Sequence, residues 1–306
     1  MAGARRGRGP GTPALLFLAA LLLALGFGAG VLLSQQGCER RPAPVRTREL
    51  PPSPRAPTTP AYEEPAPRDT PPPPVPGPRL GPPREGSRLP GVALIIDDLG
   101  YAPPELVIRL CAQPHPFTVA VLPYLEHTRE SATIAHDRGK EVILHLPMEG
   151  SPGANPGQDA LRLEQGEAEL RGLVRKALAE VPFRSGVNNH MGSRLTADRM
   201  RMRWVMDELK SRRLFFVDSR TTKDTVALEV AREVGVPATQ RQVFLDDDKA
   251  FAEMEKQWER ALALARRDGE VVVIGHIYPE TVEALEKLLP RAKGEFRFVR
   301  VGELAR

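Results

Sequence analysis

Acidic and imidazole side chains follow several apolar, strand-like runs of this 306-residue chain. Asp97 and Asp98 end the run that starts at 92, His145 follows the run at 141–144, and Gly275-His276 follows the run at 271–274. His190 lies in a polar, turn-like segment directly after Val187. Because the carboxyl ends of parallel strands meet at one edge of a sheet or barrel, these side chains are expected to converge. Carboxylates and imidazoles in one pocket can bind a divalent metal and carry out acid–base chemistry.

The Asp97-Asp98 pair predicts a break in its strand. Successive strand residues face opposite sides of a sheet, so both carboxylates reach one pocket only if the strand is interrupted there. The following Leu99-Gly100 is expected to supply that interruption. Two acids so close can divide the work, one binding a cation and the other acting as a base. Helix capping or solvation at a strand end is the alternative interpretation.

The two central histidines have polar neighbours. Glu149 stands four residues after His145, but Pro147 between them excludes a regular helix, so joint ligation would have to come from a loop. Asn188 and Asn189 precede His190 and are expected to line the pocket.

Other polar residues are interpreted as supporting or structural. Asp218 ends another apolar run, and with Arg220 it could form an ion pair that orients a ligand or serves only structure. The acidic triplet at 246–248 is interpreted as part helix cap and part solvated charge. The remaining histidines are assigned to structure or to the surface: His115, His127 and His136.

From residue 91 onward, short apolar runs alternate with amphipathic stretches. Strands are predicted at 92–97, 117–122, 141–146, 184–188, 214–218, 242–246, 270–275 and 296–300, with helices near 103–112, 128–138, 166–180, 196–212, 223–234, 249–267 and 279–290. This alternation predicts an α/β fold with a parallel sheet or barrel and helices outside. The segment is short for a complete eight-fold barrel but suits a trimmed one. The irregular stretch at 147–165 is a candidate pocket wall or lid.

The first ninety residues differ in composition. A basic tail at 1–12 precedes a predicted transmembrane signal anchor at 13–34, in which residues 14–33 carry no charge. The arginines before the anchor favour a cytoplasmic amino terminus and an extracytoplasmic, periplasmic domain. The alternative is secretion after cleavage of a signal peptide. The segment 35–90 is predicted to be a disordered, Pro-rich linker, since 18 of the 32 prolines lie within 41–90.

Charge separates the two parts of the chain as well. Residues 1–90 carry 12 Arg and Lys against 6 Asp and Glu, which leaves 31 against 33 for 91–306. The basic balance therefore belongs to the leader, and nucleic-acid binding by the domain is not expected. The two cysteines, Cys38 and Cys111, lie in different regions and do not indicate a disulfide framework.

At these residues the chain resembles the divergent polysaccharide deacetylases, distant relatives of the chitooligosaccharide-deacetylase-like carbohydrate esterases. The resemblance extends over 91–306 and rests on the segments 95–100, 145–149, 155–157, 187–193, 216–219 and 274–276. It implies a distorted, incomplete (β/α) barrel of about seven strands. It also implies a divalent metal, usually zinc, that activates water for attack on an acetyl carbonyl.

The same resemblance implies roles for individual residues. Carried over, Asp97 would be the catalytic base, Asp98 a metal ligand and His276 the catalytic acid. The wider superfamily has two histidines four residues apart where this chain has His145 and Glu149. Either Glu149 replaces the second histidine, or His190 supplies the missing imidazole. Because one carboxylate and two imidazoles suit catalytic zinc, the preferred ligands are Asp98, His145 and His190, with Glu149, Asp218 and Arg220 as further metal or supporting candidates.

The resulting functional hypothesis is a membrane-tethered, metal-dependent hydrolase. It would remove N- or O-acetyl groups from a polysaccharide or a peptidoglycan-like glycan. One alternative is a catalytically inactive member of the fold that binds glycan or a cell-envelope protein. Another is a metal-independent glycoside hydrolase that pairs Asp97 with Glu149 or Asp218, which would leave the histidines at the strand ends without a purpose.

Overall fold

A computed structural model describes residues 89–306, and the predicted tail, anchor and linker lie outside this range. Strands and helices alternate along the described chain, as predicted. The strands are β1 (Gly91–Leu99), β2 (Thr118–Val121), β3 (Glu141–Met148), β4 (Arg184–Met191), β5 (Phe215–Asp218), β6 (Ala238–Gln240), β7 (Val243–Phe244), β8 (Glu270–His276) and β9 (Arg297–Val299). The α-helices are α1 (Pro104–Cys111), α2 (Thr128–Asp137), α3 (Glu167–Glu180), α4 (Arg199–Ser211), α5 (Ala227–Val234), α6 (Phe251–Asp268) and α7 (Pro279–Leu288).

All the strands belong to one parallel sheet that forms an incomplete barrel. Its order is β6-β5-β4-β3-β2-β1-β8-β7, and β9 pairs with residues 91–93 of β1, on the edge opposite β8. The parallel α/β architecture is thus confirmed, and the described residues form nine strands where about seven were expected, because the short strands β6, β7 and β9 have only three, two and three residues. The predicted strand at 242–246 covers β7 but not β6, because an element of three residues carries no alternating pattern.

The inward face of the barrel changes character along its length. Near the amino ends of the strands it is apolar, with Ala93, Ile95, Ile143, Phe215, Val272 and Ile274 in one buried cluster. At the carboxyl ends the same face turns polar. Because side chains alternate along a strand, Asp97 continues the face of Ile95, His145 that of Ile143, and His276 that of Ile274. The apolar layer therefore forms the floor of a polar pocket.

The outward face of the sheet packs against the helices. It contributes residues such as Leu94 and Leu144 to a second, larger apolar cluster, which the helices complete with residues such as Val205 and Trp258. Glycines in left-handed backbone end α5 and α6, at Gly235 and Gly269, where the sequence predicts helix stops. Among residues 89–306, no helix is long and apolar enough to cross a membrane.

Gly186 on β4 allows Phe215 to fill the barrel floor, and this contact generates a test. A Cβ at Gly186 would lie 2.4 Å from the Phe215 ring. Gly186→Ala is therefore expected to lower the free energy of unfolding by about 1–3 kcal/mol in urea denaturation. Gly172→Ala on α3 is the control, because its nearest neighbour would be 3.9 Å away, and it should stabilise by about 0.5–1 kcal/mol. Unchanged stability of Gly186→Ala would contradict the packing.

Candidate metal and catalytic centre

The strand break at the acidic pair occurs at Asp98 itself. Asp98 has a left-handed backbone with φ of 64°, and the pairing of β1 with β2 shifts register between Ile96 and Leu99. The sequence placed the break one residue later, at Leu99-Gly100. Aspartate tolerates the left-handed region better than most residues. The break turns Asp98 toward the pocket that Asp97 already faces.

Asp98, His145 and His190 form a compact triangle of ligand atoms. Asp98 Oδ1 lies 3.3 Å from His145 Nε2 and 3.3 Å from His190 Nδ1. The two imidazole nitrogens are 3.2 Å apart. All three residues are buried, and they are a group within the described chain that could hold a metal ion. The structure thus brings together the three residues preferred as ligands.

The register between β3 and β4 explains why His190 reaches this site. His145 pairs with Asn188, and Pro147 pairs with His190, so His190 stands two residues beyond His145 on the neighbouring strand. Pro147 lies within β3, which continues to Met148, rather than in a loop. The predicted polar turn at 188–190 is likewise the end of β4. Alternation then places Asn188 and His190 on the same inward face.

The electrostatics favour a cation at the centre of the triangle. Burial is the largest influence on the pKa of Asp98 and raises it, but the polar contacts with His145 and His190 and the charges of His190 and His276 together hold the pKa well below its usual value. Asp98 is therefore a carboxylate. Two imidazole nitrogens so close to each other repel unless a proton or a metal ion lies between them.

The donor set fits zinc. Ligand atoms in a tetrahedral site with bonds of about 2.0–2.1 Å are about 3.3 Å apart, which agrees with the sides of the triangle. Asp98 Oδ1 is buried and accepts no aligned hydrogen bond in the structure, as expected of a carboxylate oxygen that binds a metal ion. Three protein ligands leave a position for water or substrate, which is typical of catalytic rather than structural zinc.

Asp97 lies beside this triangle. Its carboxylate is fully buried, accepts hydrogen bonds from Asn188 Nδ2 at 2.9 and 3.1 Å, and lies 3.8 Å from His145 Nε2. His276 is the partner of Asp97 in the register of β1 with β8, so the two residues predicted for proton transfer stand on adjacent strands. Their catalytic roles remain predictions.

Asp246 is a site residue that the sequence interpretation missed. It is buried, whereas the triplet at 246–248 had been expected to provide a cap and solvated charge. Its Oδ1 lies 2.9 Å from His276 Nδ1, and its Oδ2 accepts from the His276 amide at 2.7 Å and from Thr281 Oγ1 at 2.6 Å. Its position after an apolar run, at the same edge of the sheet as the histidines, was the available signal.

Glu149 lies apart from the ligand triangle. One carboxylate oxygen pairs with Arg194, and the other accepts from the Leu163 amide at 2.7 Å. The Glu149 amide and carbonyl also bond to Leu161 and to the segment after β4. Glu149 thus fastens the stretch at 150–165 to the barrel, and its two oxygens are engaged away from the metal candidates.

Asp218 and Arg220 do not form the anticipated side-chain ion pair. Asp218 instead accepts from the Arg220 backbone amide at 2.8 Å and from Thr225 Oγ1 at 2.9 Å, while the Arg220 guanidinium donates to Gln240 at 3.1 Å. A left-handed backbone at Arg220, with φ of 51°, turns its amide toward the carboxylate. Both residues hold the turn after β5.

Asn189 and the remaining histidines also serve structure. Asn189 accepts from the Ser219 amide and donates to the Met191 carbonyl, so it ties the ends of β4 and β5 together. Two of the histidines contact phenylalanine rings outside the site: His115 lies tilted against Phe298, and His136 stacks on Phe183. Their assignment to structure or surface agrees with these contacts.

The family of the chain follows from its sequence as a whole. The model of the divergent polysaccharide deacetylases matches residues 94–305, which is nearly all of the described chain. The chain belongs to this family, as the resemblance implied.

Proteins from two bacteria are similar to this chain. The uncharacterized protein YibQ of Escherichia coli (strain K12) is 38% identical over 213 residues, covering 70% of this chain and 66% of YibQ. An uncharacterized protein of Haemophilus influenzae Rd is 34% identical over 215 residues, covering 70% of this chain and 76% of its own length. This chain therefore matches about two thirds of the length of YibQ.

A solved structure shares the fold. The crystal structure of an uncharacterized protein from Agrobacterium tumefaciens C58 superposes with a TM-score of 0.69 and 23% sequence identity, covering 73% of this chain and 92% of that one. This likeness supports the incomplete parallel barrel.

The choice between His190 and Glu149 as third ligand is testable by calorimetric zinc titration. His190→Ala removes a vertex of the triangle and is expected to weaken zinc binding by more than about 100-fold, beyond what loss of a supporting residue typically causes. Glu149→Gln keeps an acceptor for the Leu163 amide and should change the dissociation constant by less than about threefold. The reverse ranking would show that Glu149 is the ligand.

Asp218 gives a pH-dependent prediction for stability. Burial raises its pKa, against the smaller lowering effects of its hydrogen bonds and of nearby Arg220 and Arg241. A carboxyl whose pKa is raised by folding favours the folded state below its unfolded pKa of about 3.9, and this contribution is lost as the pH rises through the folded pKa. In Asp218→Asn the side chain cannot titrate, so this loss of stability with rising pH is absent. The variant's free energy of unfolding relative to wild type should therefore increase from pH 4 to pH 7; a constant difference would contradict the shift.

Proposed function

We propose that this protein is a metal-dependent deacetylase that hydrolyses N- or O-acetyl groups on a polysaccharide or cell-wall glycan. The observation that carries the proposal is the triangle of Asp98, His145 and His190 at the carboxyl ends of the barrel strands, next to a base candidate and a histidine–aspartate pair. Membership of the divergent polysaccharide deacetylases supports the reaction type and the class of substrate.

The metal requirement rests on the fit of the three ligands. Asp98, His145 and His190 would hold the ion, and their donor atoms favour zinc over magnesium or calcium, which prefer oxygen ligands. A divalent metal in such a site lowers the pKa of a bound water to about 7 and polarises an acyl oxygen.

Asp97 is the proposed general base. Two contacts from Asn188 fix its carboxylate in the pocket, and the triangle lies within a few ångströms through His145 Nε2. Asp97 removes a proton from the attacking water as the new carbon–oxygen bond forms. Its low-dielectric surroundings strengthen its interaction with the charges that develop nearby.

His276 is the proposed general acid. Asp246 accepts from Nδ1–H, so Nε2 is the nitrogen that can donate to a substrate, and the aspartate stabilises the imidazolium form. When the acyl carbon–nitrogen or carbon–oxygen bond breaks, His276 gives its proton to the departing amine or hydroxyl. The products are acetate and the free amino or hydroxyl group of the glycan.

The contacts of the other acids argue against a glycosidase with paired carboxylates. Glu149 is paired with Arg194, and Asp218 is held by the Arg220 amide and Thr225. Neither has a carboxylate available to work with Asp97 across a sugar. In metal-assisted hydrolysis, by contrast, His145 and His190 bind the metal and His276 is the acid.

The proposal includes the cellular setting of the domain. An anchor at 13–34 would fix the chain in the cytoplasmic membrane, and a Pro-rich linker at 35–90 would extend the domain into the periplasm toward envelope glycans. The sequence of these segments supports this arrangement. Secretion after signal cleavage is the alternative, and amino-terminal sequencing of the mature protein distinguishes the two.

The experiment follows acetate release from N-acetylglucosamine oligomers, acetylated xylan and purified peptidoglycan by the full-length chain. We expect release from at least one of them, its loss after chelator treatment and its recovery with zinc. Asp97→Asn should reduce the rate by about 100-fold or more while the zinc content stays at the wild-type level. Asp137→Asn, at an exposed position at the end of α2, is the matched control and should remain active.

Two outcomes would contradict the proposal. Activity that survives Asp97→Asn would remove Asp97 as the base. Binding of a glycan without acetate release, in a protein whose stability does not respond to zinc, would support the catalytically inactive binding protein instead.

A further inference from the structure

Asn188 has an unusual position among the candidate site residues, because it contacts both halves of the proposed machinery. Its side chain is fully buried. Its Oδ1 lies 2.8 Å from His145 Nδ1, and its Nδ2 lies 2.9 and 3.1 Å from the two carboxylate oxygens of Asp97. It therefore joins a proposed metal ligand on β3 to the proposed base on β1.

The chemistry of the three partners fixes the orientation of the amide. A carboxylate only accepts hydrogen bonds, so the amide nitrogen must face Asp97 and the amide oxygen must face His145. The oxygen in turn only accepts, which requires the proton of His145 to be on Nδ1. The lone pair of His145 then lies on Nε2, the nitrogen that points toward Asp98 and His190.

We propose that Asn188 is a positioning residue that holds His145 in its metal-binding tautomer and orients Asp97 as the base, through one side-chain amide. This inference rests on the proposed metal-dependent hydrolysis. Residues that support ligating histidines are commonly carboxylates or backbone carbonyls. A carboxylate at 188 could accept from His145, but it would place a third acid beside Asp97 and Asp98 and repel the base.

The architecture explains why this task falls to position 188. His145 and Asn188 are direct neighbours in the register of β3 with β4, which sets the short contact between them. Asn188 faces into the barrel, so its amide reaches across the interior to β1. The adjacent Asn189 has the same side chain but faces the other way and bonds to backbone groups at Ser219 and Met191. The direction of the side chain, and not its type alone, thus decides the role.

Two substitutions separate the two contacts. Asn188→Asp is nearly isosteric and keeps an acceptor for His145 Nδ1–H, but it loses the donor to Asp97. Asn188→Leu removes both contacts. Ser185→Ala is the control on the same pair of strands, because the Ser185 hydroxyl bonds to the Val142 carbonyl at the far end of β4.

The experiment measures zinc affinity by calorimetry, hydrolysis of 4-nitrophenyl acetate at saturating zinc, and thermal unfolding, all with the full-length chain. Asn188→Leu should weaken zinc binding by about 10–100-fold. Asn188→Asp should bind zinc within about threefold of wild type, yet its kcat should fall by at least about tenfold with little change in KM, because the base is no longer oriented. Ser185→Ala should match wild type in zinc affinity and in kcat.

Wild-type zinc affinity and kcat in Asn188→Leu would overturn the inference. Parallel losses of zinc affinity, kcat and melting temperature in both variants would reduce Asn188 to a structural residue and also overturn it. If Asn188→Leu does not fold, Asn188→Asp alone decides through the separation of zinc affinity from kcat. A wild-type chain that binds zinc but hydrolyses no acyl probe would contradict the proposed function, while the zinc affinities still judge the contact with His145.

Discussion

The contact of one carboxylate oxygen with two imidazole nitrogens is the interaction on which the site depends. The three ligand atoms lie 3.2–3.3 Å apart, the spacing expected around a tetrahedral metal ion, and the two imidazole nitrogens repel unless a proton or a metal ion lies between them. The contact depends on the left-handed backbone at Asp98 and on the register of β3 with β4, which brings His190 next to His145. Asn188 contacts this triangle through His145, and Asp246 holds His276, whose charge acts on Asp98.

The interior of the barrel has two layers, and this division allows the fold to hold a buried polar site. The apolar floor, with Phe215 packed against Gly186, supplies buried contacts without polar groups. The layer above concentrates polar side chains that satisfy one another, since buried polar groups without partners are destabilising. His190 Nε2 is an exception among the described residues, because it is buried without a hydrogen-bond partner. Exceptions of this kind are common where a pocket awaits a ligand or an ordered water.

Much of this arrangement could be predicted from local patterns. The apolar runs predicted most strands within a few residues, and their polar endings identified Asp97, Asp98, His145, His190 and His276 as candidates that the structure brings to one edge of the sheet. Local patterns were insufficient for β6, which is three residues long, and for Asp246, whose acidic neighbours Asp247 and Asp248 suggested a solvated turn. They also suggested a side-chain ion pair at Arg220, where the backbone amide makes the contact.

The sequence by itself determined which side chains stand at the strand ends and which family the chain resembles, because both depend on residues close together along the chain. Only the tertiary structure decided that His190 lies with Asp98 and His145 while Glu149 fastens a loop, and that Asn188 rather than Asn189 faces Asp97. These outcomes depend on the register between β3 and β4 and on the backbone turn at Asp98. A shift of one residue in the register moves every side chain of a strand to the opposite face of the sheet. The packing of the whole barrel sets the register.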